Sequence, residues 1–445
     1  MTDIDALKIR IIESITESDE DRKLKVREIE KIRTKLEFLA RKENIDFEVF
    51  VGGSIAKGTD IKGSDADIFL LFKEPFDPGK ILSLLRREFP DGVEEYTQHP
   101  YITVPVNNFK IDLVPGYKAS SSKDLKTAVD RTPMHVEFVK KNFDEKMKNE
   151  ARILKQFMKG IGVYGAESSV RGMSGYIAEL LIYHFATFEN VILESRKWRI
   201  PVRVGKSSEK FDGASMVVID PVDPERNAAA NVSIENVATF ILASKCFAWD
   251  RWSDFLFPEV RRFSIPEEAV AISFGCGKCN PEVILPNLRR FSEILSRELE
   301  AAGFKILYSS VFLEKEGYVV VIPEASVLGE SMLHEGPPVT NRNVLSFLER
   351  WGSGTKFGMP FIRGDRVMVL KERKVRDIRE AMAEIIPKIK LSKDIRNKII
   401  IISGDDLKKI PEVVRERVVT PSLGSWIPCG SGGNIESDDP EPNEG

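Results

Sequence analysis

The chain has 445 residues, of which 42% are hydrophobic, and its formal net charge at pH 7 is −3. This length predicts about three domains with ordinary cores, and the few cysteines do not indicate a disulfide framework. The first residues carry early acids and no long apolar run, unlike a secretory signal peptide. The most apolar run, 176–188, is too short for a bilayer and contains Glu179 and His184. We therefore expect a globular cytoplasmic protein with no membrane partner.

The first 145 residues predict an α+β domain. Apolar residues recur at three-to-five-residue intervals over 21–42, which predicts an amphipathic helix that packs behind the first sheet. These apolar positions are Leu24, Ile29, Ile32, Leu36 and Leu39. The further predicted elements are strands over 47–51 and 67–72, a helix over 81–89, and strands over 101–106 and 109–114 joined at Asn107-Asn108.

A glycine turn followed by a carboxylate strand lies within this first domain. Gly52 and Gly53 let the backbone approach an anion and offer N–H groups to it, and Ser54 adds a hydroxyl. Ten residues then separate Ser54 from Asp65. Since side chains alternate along a strand, Asp65 and Asp67 are predicted to share one face, with apolar residues on the other. The pattern predicts a site for divalent cations and a triphosphate.

A third carboxylate, Asp112, lies between apolar residues of the predicted strand over 109–114. Taken alone, an acid in a strand is usually an exposed residue or the partner of a nearby lysine. Beside the first pair it completes a set of three, which is common where two divalent ions about 3.5–4 Å apart activate a hydroxyl and bind a triphosphate. The alternative to a nucleotidyl-transfer site is a glycine-rich hairpin with surface acids.

The rest of the chain predicts a helical domain, a smaller α+β segment and a tail. Residues 146–262 are mostly helical, with helices over 149–160, 176–187 and 234–252, a strand over 215–220 and a rigid turn at Pro221-Val-Asp-Pro224. Residues 263–420 begin in β-α-β-β order, which suits a small sheet with helices on one face. Their elements are strands over 269–274, 304–314, 318–323 and 367–369 and helices over 281–302, 341–351 and 376–386. Residues 421–445, rich in Gly, Ser, Pro and acids, are predicted to be disordered.

Basic residues gather in three interior segments, so the small negative net charge does not exclude a nucleic-acid partner. The ordinary alternative for each segment is a solvated face. The segments contain Lys140, Lys141, Lys146, Lys148, Arg152, Lys155 and Lys159, then Arg196, Lys197, Arg199, Arg203 and Lys206, then Lys371, Arg373, Lys374, Arg376 and Arg379.

Several longer motifs accompany the glycine turn and the three carboxylates. They are Tyr96-Thr-Gln-His-Pro-Tyr101, Ala128-Val-Asp-Arg-Thr-Pro-Met-His135, Gly162-Val-Tyr-Gly-Ala-Glu167, Val170-Arg-Gly-Met-Ser-Gly-Tyr176 and Asp220-Pro-Val-Asp-Pro-Glu-Arg-Asn-Ala-Ala-Ala-Asn231. With these motifs the chain resembles the archaeal class I CCA-adding enzymes, which are tRNA nucleotidyltransferases of the DNA polymerase β superfamily. The resemblance is dense over 51–231 and thinner, though collinear, to about residue 410.

The resemblance implies an activity and a domain plan. The family adds C, C and A to tRNA 3′ ends from CTP and ATP with Mg²⁺, releases pyrophosphate and uses no nucleic-acid template. The implied plan is a polymerase-β-like palm over 1–145, a helical central domain over 146–262, a tRNA-binding body and tail over 263–420, and an acidic disordered tail over 421–445.

The resemblance also implies residue roles. Asp65, Asp67 and Asp112 would bind the metals, with Asp112 near the attacking 3′-hydroxyl. Residues matching the family's contacts to the triphosphate and nucleotide are Gly53, Ser54, Lys57, His135, Lys155 and Tyr164, and Arg226 matches its arginine against the incoming base. The chain departs from the family by having Asp65 where Glu is typical and Lys57 where Arg is usual, and by one residue fewer between Ser54 and the first carboxylate.

Ordinary alternatives stand beside these roles. Lys155 would by itself be a solvated helix lysine, and His135 a packed core histidine. Tyr164 is predicted to be exposed on a loop, which is compatible with stacking or with a phosphate contact. His184 is predicted to lie in a core, and Cys276 with Cys279 supplies at most half of a zinc site.

Two rival functions remain at this point. One is a poly(A) polymerase or an oligoadenylate-synthetase-like enzyme on the same palm, and the other is a non-catalytic tRNA-binding relative. The sequence leaves the oligomeric state open, with a homodimer as one candidate.

Overall fold

A computed structural model describes residues 3–96, 100–207, 209–259, 265–275, 280–392, 395, 397–417 and 426. The chain divides into two compact units, one formed by residues 1–261 with 420–445 and the other by 262–419. Both units mix helices and strands, which confirms the predicted α+β class.

The first unit contains ten α-helices and eight strands among its described residues. The helices are α1 (Asp3–Ile15), α2 (Asp19–Glu43), α3 (Gly53–Lys57), α4 (Pro78–Glu88), α5 (Thr132–Asn142), α6 (Glu145–Gly160), α7 (Gly175–Phe185), α8 (Phe188–Ser195), α9 (Ile234–Cys246) and α10 (Trp252–Leu256). The strands are β1 (Glu48–Val51), β2 (Ala66–Phe72), β3 (Val93–Tyr96), β4 (Pro100–Val106), β5 (Phe109–Tyr117), β6 (Val202–Val204), β7 (Met216–Asp220) and β8 (Asp223–Asn227).

A five-stranded sheet in the order β1-β2-β5-β4-β3 forms the first half of this unit. The central pair β2/β5 is parallel, and the other neighbours are antiparallel. Helices α2 and α4 bury their apolar faces against it. The predicted packing of the first long helix behind the sheet is therefore confirmed.

One predicted apolar position of α2 is wrong. Leu24 is 41% exposed, and its neighbour Lys25 is buried instead. The helical period places Lys25 in line with Ile29 and Ile32, so a lysine continues the buried stripe. Its ammonium group stays satisfied there because it donates to the Glu17 carboxylate at 2.6 Å and to a backbone carbonyl at 2.7 Å.

The second half of the unit is helical, as predicted, and α6 and α7 lie at its core with α8 and α9. A three-stranded sheet, β6-β7-β8, adjoins the helices. The helix predicted over 234–252 is interrupted because Phe247 takes an extended conformation, and strand β8 begins inside the predicted rigid turn. His184 is exposed, so its predicted place in a core is wrong.

The predicted disorder beyond Pro421 falls outside the described residues, with one exception. Trp426 is fully buried, and its ring centroid lies 5.8 Å from that of Phe255. At this residue the prediction of disorder is wrong.

The described residues of the second unit form two antiparallel sheets. Its described elements are β9 (Val270–Gly275), α11 (Pro281–Ala301), β10 (Ile306–Leu313), β11 (Gly317–Pro323), β12 (Ser331–Pro338), α12 (Val344–Trp351), β13 (Phe361–Arg363), β14 (Arg366–Glu372), α13 (Ile378–Ile385), β15 (Asn397–Ser403) and α14 (Glu412–Arg417). The sheets have the orders β10-β11-β9-β15 and β12-β14-β13. The β-α-β-β order is confirmed, and α11 and α13 pack on one face of the larger sheet. Strand β12 was not predicted, because Gly and Pro residues such as those at its end usually mark a turn or loop rather than a strand.

No helix in the described ranges is both long enough and apolar enough to cross a membrane. The Cys276 and Cys279 pair lies outside the described residues.

Candidate active site

The parallel pairing of β2 and β5 brings two predicted carboxylates together. Asp67 and Asp112 are register partners on neighbouring strands. Asp112 accepts a hydrogen bond from the Thr103 hydroxyl at 2.7 Å. Asp65 precedes the first residue of β2 and is exposed, and its Oδ1 accepts the Lys110 backbone N–H at 3.3 Å. Asp65 therefore lies just before strand β2, beside the Asp67–Asp112 pair, rather than within the strand.

Burial and mutual repulsion disfavour ionisation of this pair. Burial, together with the charge of Asp112, raises the pKa of Asp67 to about 7. Burial also raises the pKa of Asp112 to about 6, against the opposing hydrogen bond from Thr103. Two ionised carboxylates that lie close together repel each other, and a cation between them relieves this repulsion. Carboxylate oxygens are also the ligands that hard divalent ions prefer.

The donor set fits a divalent ion but does not enclose one. Among the described residues, no group of three or more His, Cys, Asp or Glu side chains could by itself hold a metal ion. Asp67 and Asp112 thus supply a two-carboxylate edge, and further ligands would have to come from Asp65, from water or from a substrate phosphate.

The predicted glycine turn is a one-turn helix, α3, rather than an open loop. Gly53 begins it at φ +67°, and a Cβ on this residue would lie 1.8 Å from Asp67 Oδ2. Glycine is therefore required by both conformation and space. Gly52 donates its N–H to the Asp67 carbonyl at 2.8 Å, and Ser54 is half-buried within α3.

The two predicted triphosphate lysines meet at one buried carboxylate. Lys57, at the end of α3, donates to Glu179 Oε2 at 2.7 Å, and Lys155, on α6, donates to Glu179 Oε1 at 2.8 Å. Lys155 is only 1% exposed, so its interpretation as a solvated helix lysine is wrong. Burial lowers the pKa of Lys155. Burial opposes ionisation of Glu179 as well, but the charges of the two lysines outweigh it and lower the pKa of Glu179 to about 2.

A second buried carboxylate, Asp220 at the end of β7, joins three other groups. Its Oδ2 lies 3.0 Å from His135 Nε2 and 2.8 Å from the Arg226 guanidinium, and its Oδ1 accepts the Tyr176 hydroxyl at 2.9 Å. The His135 and Tyr176 rings stack with centroids 3.8 Å apart. Burial lowers the pKa of His135 although Asp220 opposes this shift. Burial opposes ionisation of Asp220, but contacts from His135 and Arg226 lower its pKa to about 2.

Tyr164 is half-buried, so its prediction as an exposed loop residue is wrong. A Cβ added to Gly175 would lie 2.9 Å from the Tyr164 hydroxyl and 3.3 Å from Lys155 Cε. The phenol and the lysine therefore both lie against the first residue of α7. Burial raises the pKa of Tyr164, which keeps its hydroxyl protonated as a hydrogen-bond donor.

All ten predicted site residues lie within the first unit, in two groups. The first surrounds the carboxylate pair and α3, and the second surrounds Glu179 and Asp220. Sequence reasoning assigned no role to Glu179, Asp220 or Tyr176. It also assigned none to Thr59, whose hydroxyl donates to Glu179 Oε1. A signal existed for Glu179, since an acid inside an apolar helix requires a buried partner.

Three family models match the chain in order. A nucleotidyltransferase domain covers 29–142, a tRNA nucleotidyltransferase second domain covers 149–257, and a CCA-adding enzyme C-terminal domain covers 267–402.

Curated relatives extend the match over most of the chain. It is 32% identical to a CCA-adding enzyme of Picrophilus torridus, over 82% of this chain and 87% of that protein. It is 35% identical to a CCA-adding enzyme of Pyrobaculum islandicum, over 84% of this chain and 91% of that protein. It is 32% identical to a CCA-adding enzyme of Thermoplasma acidophilum, over 91% of this chain and 93% of that protein. A solved structure of E. coli MS115-1 CdnC with ATP matches 57% of this chain and 96% of that chain, at 16% identity and a TM-score of 0.43. The matched domains and the relatives' identity over most of the chain place this protein in the CCA-adding enzyme family, among the nucleotidyltransferases.

Proposed function

We propose that the protein adds or repairs the CCA sequence at tRNA 3′ ends, using CTP, ATP and Mg²⁺ without a nucleic-acid template. The observation that carries this proposal is the pairing of Asp67 with Asp112 in the same unit as a buried lysine pair, in a chain of the CCA-adding enzyme family. In the reaction the tRNA 3′-hydroxyl attacks the α-phosphorus and pyrophosphate leaves.

Helix α3 connects the two charged regions of this site. Its first residue, Gly53, lies against Asp67, and its last, Lys57, contacts Glu179. The helix rises about 6 Å between these ends. This spacing suits a nucleotide whose α-phosphate lies at the carboxylates and whose β- and γ-phosphates reach the lysines.

The carboxylates have two proposed tasks. Asp65, Asp67 and Asp112 would hold Mg²⁺, which when bound lowers the barrier by activating the hydroxyl and neutralising phosphate charge. Asp112, whose pKa is raised to about 6, would also lie near the attacking hydroxyl. The departure from the family's Glu at position 65 shortens a side chain that is exposed and keeps its oxygen ligands.

The cationic and polar groups have the tasks of binding and orientation. Lys57 and Lys155, with Gly53, Ser54 and Tyr164, would contact the triphosphate and stabilise the leaving pyrophosphate.

The nucleoside would lie against the groups around Asp220. The His135–Tyr176 stack and the Arg226 guanidinium present an aromatic face and hydrogen-bond donors there. Because Asp220 orients His135 and Arg226, Arg226 can face the incoming base in a fixed direction.

The domain plan is part of the proposal. Residues 1–145 would act as the catalytic palm, 146–262 as a helical nucleotide-binding domain, and 263–420 as the body and tail that bind tRNA. The whole protein would act in the cytoplasm. Arg152 and Lys155 of the first basic cluster are buried, so any tRNA contacts from this cluster would come from its remaining lysines. A homodimer is compatible with this plan and is tested by light scattering.

The proposal is tested with tRNA lacking its 3′ CCA and with labelled CTP and ATP supplied separately and together. We expect CTP-dependent addition followed by a single A, and no incorporation by Asp67→Ala. Long tails from ATP alone would favour a poly(A) polymerase instead. Absence of incorporation in the wild type, combined with tRNA binding, would leave only the non-catalytic alternative.

A further inference from the structure

Glu179 is a buried carboxylate to which sequence reasoning assigned no role, and it links three elements. It lies on α7, 1% exposed, between Lys57 of α3 and Lys155 of α6. The Thr59 hydroxyl donates to Glu179 Oε1 at 2.5 Å and accepts from Lys155 at 2.8 Å. Both oxygens of the carboxylate are therefore occupied by donors.

The charges in this cluster do not balance. Two ammonium groups face one carboxylate, so the cluster keeps one net positive charge. Without Glu179 the two lysines would be like charges held near each other in a buried site, where they would repel and turn outward. The remaining charge is what a phosphate chain could neutralise.

Helix α7 adds a second restraint on Lys57. The Lys57 ammonium lies 4.7 Å from the ring centroid of Tyr176, which is one turn before Glu179 on the same helix face. The carboxylate and the ring thus fix Lys57 from one helix, while Gly175 leaves the space that Lys155 needs.

We propose that Glu179 is a positioning residue for nucleotide binding, which holds Lys57 and Lys155 convergent so that the positive charges of both ammonium groups act on the same triphosphate. This inference rests on the proposed function of the two lysines. It assigns to Glu179 no contact with the nucleotide.

The substitution Glu179→Gln removes the negative charge of this side chain and keeps its shape. Glutamine has one acceptor oxygen and one NH₂ donor. Whichever way the amide is turned, its NH₂ faces an ammonium group, so one lysine must leave its position. We expect the KM for CTP and for ATP to rise about tenfold or more, with a smaller fall in kcat because the lysines also stabilise the leaving pyrophosphate.

A matched control is Glu150→Gln. Glu150 is also a buried glutamate of this unit, and it is bonded to Lys8 at 2.6 Å and to neither site lysine. This control should lower the melting temperature and leave both KM values unchanged. Binding of Mg²⁺-CTP measured by calorimetry should weaken in Glu179→Gln and not in the control.

A second variant keeps the proposal testable if Glu179→Gln does not fold. Thr59→Val preserves shape and removes the hydroxyl that bonds Glu179 and Lys155, so the KM values should rise in the same direction by a smaller factor. Unchanged or lower KM in the folded variants would overturn the positioning role. If the wild type incorporates nucleotides and these variants behave like it, the proposed function stands and only this inference fails.

Discussion

Removing the charge of Asp67 should abolish activity and stabilise the metal-free protein. Asp67→Asn keeps the shape of the side chain but cannot ionise. Burial and the charge of Asp112 raise the pKa of Asp67 from 3.8 to about 7, so the folded protein holds this proton over a range in which the unfolded chain has released it. The stability of the metal-free protein therefore falls as pH rises from about 4 to about 7.

The size of the effect follows from the raised pKa. Each pH unit between the unfolded and folded values costs ~1.4 kcal/mol, which gives a ceiling of about 4 kcal/mol above pH 7. Because Asp67 is half-buried, water screens part of this cost, and we expect Asp67→Asn to recover about 2–4 kcal/mol at pH 8. With an unfolding entropy of about 2.1 cal/mol/K per residue, this corresponds in a unit of this size to a rise in Tm of about 3–7 °C.

The assay is thermal unfolding in excess chelator at pH 4.5 and pH 8, with nucleotide incorporation measured in parallel in Mg²⁺. Asp65→Asn is the matched control, since it removes a neighbouring carboxylate that is exposed. The stabilisation should be large at pH 8, small at pH 4.5 and small in the control. Equal or lower stability of Asp67→Asn at pH 8, or an equal gain in Asp65→Asn, would refute the reasoning.

Three further outcomes are expected. Leu39→Ala should lower the free energy of unfolding by about 2–5 kcal/mol in urea titrations, whereas Leu24→Ala on the same helix should change it by less than about 0.5 kcal/mol, since only Leu39 is buried. Asp220→Asn should raise the KM for both nucleotides and destabilise by about 1.5–3 kcal/mol, because His135 and Arg226 lose a charged acceptor; unchanged nucleotide kinetics would contradict this. The affinity for tRNA, measured by filter binding, should fall steeply between about 50 and 200 mM salt, and a salt-independent affinity would exclude phosphate contacts.

The sequence predicts those features that depend on local periodicity. The 21–42 helix and the strands flanking Asn107-Asn108 follow from patterns within a few residues of each other. Lys25 shows the limit of this reasoning, because the helical period marks its position as buried while its residue type indicates exposure. Only the contacts of its ammonium group with Glu17 and with the Ser64 carbonyl resolve the conflict.

Site geometry that joins distant segments could be predicted only in part. The sequence places an acid at Asp112, but its register with Asp67 depends on which strands pair, and that is decided by packing. Glu179 lies 122 residues from Lys57 and 24 from Lys155, so no spacing rule connects the three. The burial of Lys155 could not be predicted for the same reason.

The electrostatics of the site explain why it suits a metal–triphosphate complex rather than either component. On one side of α3, Asp67 and Asp112 resist ionisation because they are buried and lie close to other carboxylates. On the other side, Lys57 and Lys155 exceed the charge of Glu179 by one. A free triphosphate would add negative charge near carboxylates that already repel each other, and a free cation would approach lysines that repel it. A ligand that carries positive charge at one end and negative charge at the other relieves both imbalances at once, so metal and nucleotide should each increase the affinity of the site for the other.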